Sequence, residues 1–137
     1  MVNREILSKE HAELDGLAVQ LLALVAKQPA ETTALSTLRW RLNHVLMVHL
    51  AKEDNLLYPQ LKSSTIPATR MLATRFADEM GGLAATYLAY STRWTVVAVE
   101  ADWAGFAADT RTVMRALRQR ILREERELYP MLDRQAA

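Results

Sequence analysis

The sequence predicts an all-α protein, folded as an up-down-up-down antiparallel four-helix bundle. Three observations support this prediction. Apolar side chains recur at steps of three and four residues along four long segments, which is the spacing of one face of an α-helix. Only four glycines and four prolines interrupt the chain, and the links between the four segments are short. A length of 137 residues favours one domain, residues 1–137, with its own hydrophobic core.

The first two predicted helices carry clear core faces. The core positions of the first helix are Leu7, His11, Leu14, Ala18, Leu21 and Val25. We expect Pro29 to end this helix, because proline cannot continue the hydrogen-bond ladder. The core positions of the second helix are Leu35, Leu38, Leu42, Val45, His49, Glu53 and Leu56. Pro59 and the turn-forming segment 63–67 predict the end of the second helix.

The last two predicted helices follow the same period. The core positions of the third helix are Leu72, Phe76, Met80, Leu83, Tyr87 and Tyr90. Those of the fourth helix are Val113, Leu117, Arg120 with Ile121, Glu124 and Leu128. Residues 91–103 fit a helix extension or a loop equally well. We place the start of the fourth helix near Asp102, because aspartate is a favourable helix N-cap.

Composition excludes several classes of function. Seventeen basic and sixteen acidic residues nearly cancel, so nothing in the bulk charge indicates a nucleic acid or an anionic membrane as partner. The arginines of the fourth helix are interrupted by glutamates, as on an ordinary solvated helix face. With no cysteine, any metal must be bound by His, Asp or Glu. The sequence contains neither a signal peptide nor a membrane span, which predicts a cytoplasmic protein.

The second half of the chain repeats part of the first. The segment 53–61 reads EDNLLYPQL, and the segment 124–132 reads EERELYPML. At nearly the same offset, EHAEL at 10–14 aligns more weakly with EMGGL at 79–83. The first pair of helices therefore corresponds to the second pair.

Three polar residues occupy core positions of the first pair: His11, His49 and Glu53. Polar groups at such positions need partners. His49 and Glu53 are four residues apart, so both project from one helix face and could bind one cation together. Alternatively, each histidine is a core residue hydrogen-bonded to a neighbour. His44 is five residues before His49, which places it on the flank of the helix and outside the cluster.

These residues resemble a known family. Glu10-His11, followed by HLAKEDNLLYP at 49–59, is similar to the H…HxxxE(E/D)xxLYP pattern of hemerythrin-like (HHE) cation-binding domains. The resemblance spans nearly the whole chain. It implies a carboxylate-bridged pair of irons, to which the second helix pair contributes another His and another HxxxE.

The second half departs from the family pattern. Met80 and Arg120 occupy the two positions where the family has histidine, and only Glu124 is kept. The resemblance therefore implies one remaining metal site formed by His11, His49, Glu53 and Glu124. A guanidinium cannot coordinate a metal, but its charge can replace that of the missing ion beside Glu53 and Glu124. The same charge opposes a metal in the remaining half-site.

Two functions follow from this interpretation. The first is a hemerythrin-like protein with at most one divalent, iron-type metal, used for oxygen or redox sensing or for metal binding. The alternative is a metal-free helical bundle that acts as an interaction or regulatory module, with a protein partner or a second copy. We do not expect an enzyme, because the chain has no Glu-x-x-His pair, Ser-His-Asp set or phosphate-binding loop.

Overall fold

The structure, a computed structural model, describes residues 2–27, 29 and 32–136. These residues are helical apart from short turns, and no strand occurs among them. The α-helices within this part of the chain are α1 Arg4–Val25, α2 Thr32–Lys52, α3 Tyr58–Lys62, α4 Pro67–Met80, α5 Leu83–Arg93, α6 Val96–Ala101, α7 Trp103–Arg123 and α8 Tyr129–Ala136. Two π-helical segments, Glu53–Leu57 and Glu124–Leu128, join α2 to α3 and α7 to α8. The predicted all-α class is confirmed.

Helix α1 packs against both α2 and α7, α5 packs on α7, and α3 packs on α4. The apolar core forms two clusters along these helices. On α1, His11 lies between Leu7 of the smaller cluster and Leu14 of the larger one. The same order recurs on the other helices, so a buried polar layer separates the two clusters. Within the described residues, no helix is long and apolar enough to cross a membrane.

The predicted third helix is divided in two. Helix α4 ends at Met80 and α5 begins at Leu83, with Gly81 and Gly82 forming a turn between them. Two adjacent glycines weaken a helix because they gain little from helical order and lose much backbone entropy. The prediction of one continuous helix was therefore wrong at this point.

The second helical run ends at Lys62, directly before the predicted stop at segment 63–67, but Pro59 does not end it, contrary to the prediction. The π-helical segment Glu53–Leu57 precedes it, and the Tyr58 N–H bonds to the Glu53 carbonyl five residues earlier. The wider turn leaves room for a proline, whose missing N–H would otherwise break the ladder. The extra residue also rotates the following side chains. Leu56, a predicted core residue, is therefore 55% exposed, whereas Leu57 is fully buried.

The uncertain segment 91–103 contains a short helix, α6. Asp102 caps α7, and its side chain accepts a hydrogen bond from the Gly105 N–H at 2.9 Å. The predicted start of the last long helix is confirmed. Thr95 caps α6 in the same way, through the Ala98 N–H.

Candidate metal centre

Four buried side chains from three helical runs meet in the polar layer. They are His11 of α1, His49 of α2, and the first residues of the two π-helical segments, Glu53 and Glu124. One ligand atom from each residue lies within 4.8 Å of all the others. These are the four residues that the sequence singled out as one half-site. His44 is exposed and stacks on Trp40, so it stays outside the cluster as predicted.

Both histidines of this cluster are oriented by carboxylates on a neighbouring helical run. His11 Nδ1 lies 2.8 Å from Glu125 Oε1, and His49 Nδ1 lies 2.8 Å from Glu10 Oε1. Lys52 in turn donates to Glu10 at 2.5 Å. A carboxylate on Nδ1 fixes the tautomer that leaves Nε2 free as a ligand, which is the usual arrangement behind a metal-binding histidine.

Two tyrosines hold the carboxylates, and each tyrosine belongs to the opposite repeat. The Tyr129 hydroxyl donates to Glu53 Oε2 at 2.6 Å, and the Tyr58 hydroxyl donates to Glu124 Oε2 at 2.7 Å. Burial and nearby carboxylates raise the pKa of both phenols far above the usual value, so both hydroxyls remain donors. The Tyr129 oxygen also lies 3.0 Å from His11 Nε2.

Arg120 occupies the centre of the second half-site. Its guanidinium, on a side chain that is 2% exposed, donates to three carboxylates: Glu53 at 3.1 Å, Asp54 at 2.8 Å and Glu124 at 3.0 Å. A further bond, 3.0 Å long, goes to the Met80 carbonyl oxygen. The predicted pairing with Glu53 and Glu124 is confirmed. The contacts with Asp54 and the Met80 backbone were not foreseen.

Met80 contributes no nitrogen to this half-site. Its half-buried side chain packs against the smaller apolar cluster, and its backbone oxygen accepts the hydrogen bond from Arg120. Among the side chains in contact with Arg120, none supplies an imidazole. The second half-site is therefore an ion-pair network among the described residues.

The charges of the cluster are strongly coupled. Burial alone would lower the pKa of His11, but the adjacent carboxylates of Glu124 and Glu53 outweigh it and raise that pKa to about 10. Burial also opposes ionisation of Glu53, yet the adjacent His11 and His49 rings hold its pKa well below the usual range. Glu124 differs, because burial and the nearby Glu53 charge raise its pKa to about 7. The raised pKa of His11 favours its protonated form, which would balance the charge of these carboxylates when no metal is bound.

Two polar atoms of this cluster test whether the residues fit a metal ion. His49 Nε2 and Glu124 Oε1 are buried, and neither makes a hydrogen bond of good geometry to the described residues, although His49 Nε2 lies 3.4 Å from Glu53 Oε1 and Glu124 Oε1 lies 3.2 Å from His11 Nε2. Imidazole nitrogens and carboxylate oxygens bind transition metals at about 2.0–2.2 Å, so opposite ligands lie up to roughly 4.4 Å apart. The observed limit of 4.8 Å requires a contraction of only a few tenths of an ångström. The donor set suits iron and other borderline metals.

Helices and site together define an all-helical protein with a buried histidine and carboxylate cluster that could hold a metal ion. A family model described as Hemerythrin HHE cation binding domain matches residues 2–132. The chain therefore belongs to the hemerythrin HHE cation-binding domain family. Comparison with curated proteins found no match, and neither did comparison with solved structures.

The sequence did not identify four residues that support the site. Glu10, Glu125, Tyr58 and Tyr129 lie in the repeated segments or next to a ligand, and that repetition was the available signal. Each bonds to a residue from the other repeat or from another helix. Periodicity gives the face of each helix but not which helices adjoin, so these partners needed the structure.

Proposed function

We propose that the protein binds one divalent metal ion of the iron type through His11, His49, Glu53 and Glu124. The observation that supports this most is a cluster whose ligand atoms lie within 4.8 Å of one another, two of which are buried and make no hydrogen bond of good geometry to the described residues. A buried polar atom without a partner is costly. Coordination to a metal would satisfy both atoms at once.

The second metal position of the family is, in this proposal, filled by Arg120. Its hydrogen bonds to Glu53 Oε1 and Glu124 Oε2 leave the other two oxygens on the side of the histidines. Glu53 Oε2 accepts from the Tyr129 hydroxyl, and Glu124 Oε1 lies 3.2 Å from His11 Nε2. Burial opposes the charge of Arg120, but Glu124 and Glu53 raise its pKa. The Arg120 guanidinium is thus a cation that belongs to the chain itself, and the metal ion would be the second cation beside these carboxylates.

The rest of the chain would hold and orient this ion. Carboxylates behind His11 and His49 fix the imidazoles, the two tyrosines fix Glu53 and Glu124, and the apolar clusters on either side exclude water. A bound iron would supply a redox-active centre. We propose that this ion serves oxygen or redox sensing, or metal binding. We propose no enzymatic activity, because the sequence has no Glu-x-x-His pair, Ser-His-Asp set or phosphate-binding loop.

The proposal includes a four-helix arrangement within one domain, residues 1–137. Taking α4 with α5 as one run, and joining α2 to α3 and α7 to α8 through their π-helical segments, gives four long runs with short connections. Packing of α1 on α2 and α7, and of α5 on α7, supports an up-down-up-down order. A cytoplasmic location remains a prediction from the sequence.

A metal-free module is the second candidate function. It is favoured by Arg120, which already bonds to Glu53, Asp54 and Glu124, and by the raised pKa of His11, whose proton supplies a second cation. In this reading the polar layer is structural, and the protein acts through a protein partner or a second copy.

Equilibrium binding of Fe(II) under nitrogen distinguishes the two functions. Chelator-treated wild type should bind iron at one site. His49→Gln should weaken that affinity by more than about tenfold, because even loss of an outer hydrogen bond to a ligand costs that much. His44→Gln, at an exposed histidine outside the cluster, should bind as wild type does. Wild type that binds no iron, or equal losses in both variants, would refute the proposed metal site.

A further inference from the structure

A groove of about 1050 Å³ runs along the outside of the bundle between α1 and α7. Ala12 and Leu22 line it from α1, and Ile121 and Leu122 line it from α7. Leu122 is 48% exposed, although it is a large apolar side chain. Pockets of about 300–1,000 Å³ with mostly apolar walls are typical of small-molecule sites. The groove is therefore large enough for an organic ligand.

Three arginines stand on the α7 side of the groove: Arg111, Arg115 and Arg118. Arg118 forms an ion pair with Asp15 across the groove at 2.8 Å. Arg111 and Arg115 have no hydrogen-bond or ion-pair partner among the described residues, whereas most other arginines there do. Two uncompensated guanidiniums beside an apolar wall form a site of positive charge.

The positive charge is concentrated at one end. Arg111 and Arg115 share that end with Leu22, whereas Ala12 and Leu122 lie toward the other end, near Glu125. Fourteen residues of helical run separate Arg111 from Glu125, a distance of roughly 21 Å at 1.5 Å per residue. The groove is thus elongated and cationic at one end, with apolar side chains on either side of the Arg118–Asp15 ion pair that crosses it.

We propose that this groove binds an organic carboxylate with an apolar body, of the size of a medium-chain fatty acid. The carboxylate would pair with Arg111 and Arg115, which present the forked donors that match it. The apolar body would cover Leu22, Leu122 and Ala12. A nucleic acid fits less well, because Asp15 and Glu125 also line the groove and the chain has a net charge of only +1. Binding at this surface does not require a metal.

Calorimetric titration with decanoate, below its micellar concentration, tests the proposal. Wild type should bind one decanoate per chain, with or without metal, and decyltrimethylammonium should not bind. The double variant Arg111→Ala with Arg115→Ala should bind decanoate about tenfold more weakly or worse, because a hydrogen bond to a charged group is worth about that factor. Arg126→Ala removes an arginine without a partner outside the groove and should change nothing.

The apolar half of the site is tested separately. Ala12→Trp places a large side chain in the groove at an exposed position and should also weaken decanoate binding. Far-ultraviolet circular dichroism checks that each variant remains helical. The proposal is overturned by the absence of saturable decanoate binding to wild type, by equal binding of the ammonium amphiphile, or by an unchanged affinity in the double arginine variant. Because metal-free protein is included, these outcomes do not depend on the metal site.

Discussion

The hydroxyl of Tyr129 donates to Oε2 of Glu53 at 2.6 Å, across 76 residues of sequence. The equivalent tyrosine of the first repeat, Tyr58, donates to Glu124 at 2.7 Å. Each repeat therefore fixes the carboxylate of the other. This crossed pair links the two halves of the chain at the site, even though both histidines of the cluster come from the first half.

Removing either hydroxyl should destabilise the protein. Tyr58→Phe and Tyr129→Phe each remove one of two hydrogen-bond donors to a buried carboxylate, to which Arg120 still donates, at a cost of about 1–3 kcal/mol. Tyr87→Phe is a matched control, because Tyr87 is equally buried but its hydroxyl makes no hydrogen bond to the described residues. Urea denaturation measures all three. A loss in Tyr87→Phe as large as in the other two would contradict a specific role for the crossed pair.

Arg120→Ala should destabilise metal-free protein by about 3 kcal/mol or more, since it leaves Glu53, Asp54 and Glu124 without their shared cation. Arg126→Ala, at an exposed arginine with no partner among the described residues, should change stability by less than about 0.5 kcal/mol. Thermal denaturation in excess chelator compares them. An unchanged melting temperature for Arg120→Ala would show that Arg120 is not the internal cation.

Gly81→Ala should be destabilising and Gly82→Ala should not. A Cβ at Gly81 would overlap the carbonyl oxygen of Ala77, whereas a Cβ at Gly82 would meet nothing within 4 Å. Overlap with backbone forces a shift that costs about 1–3 kcal/mol. The shift would also move the Met80 carbonyl that accepts from Arg120. Equal denaturation midpoints for the two variants would contradict this account of the α4–α5 turn.

The stability of metal-free protein should fall as the pH rises from about 6.5 to 10. His11 has a folded-state pKa of about 10 against 6.5 for a free histidine, so its stabilising contribution is complete below pH 6.5 and is lost through pH 10. Metal affinity should change in the opposite direction, because a metal displaces this proton. Denaturation at a series of pH values, with His11→Gln and His44→Gln, provides the test. The stability of His11→Gln should depend less on pH than that of wild type. The same pH dependence in both proteins would contradict the assignment of this effect to His11.

The core faces could be predicted from the sequence because helical periodicity depends on local spacing. Leu14, Leu21, Leu42 and Leu117 are buried as expected, and the polar residues on the same faces converge with them. The position of Arg120 followed from the same reasoning. Burial of a charged residue at a core position is itself a strong signal that a partner exists.

The π-helical segments could not be predicted from the sequence. A small difference in free energy decides whether one helical turn widens, and the amino-acid composition of a segment does not indicate it. Their effect is visible at Leu56, which periodicity placed in the core and the extra residue turned outward. Proline at 59 and at 130 follows each segment, and only the structure shows that proline and the widened turn go together. The histidine partners Glu10 and Glu125 depend on contacts between helical runs, which local spacing does not specify.

The central claim is that Arg120 stands in the place of a second metal ion, leaving a site for one. The direct test is the number of Fe(II) ions bound per chain at saturation, measured by elemental analysis for wild type and for the variant Met80→His with Arg120→His. The account predicts one ion per chain in wild type and close to two in the variant, because the change supplies two imidazoles and removes the opposing charge. A folded variant that binds no more iron than wild type, or a wild type that already binds two ions, would contradict it.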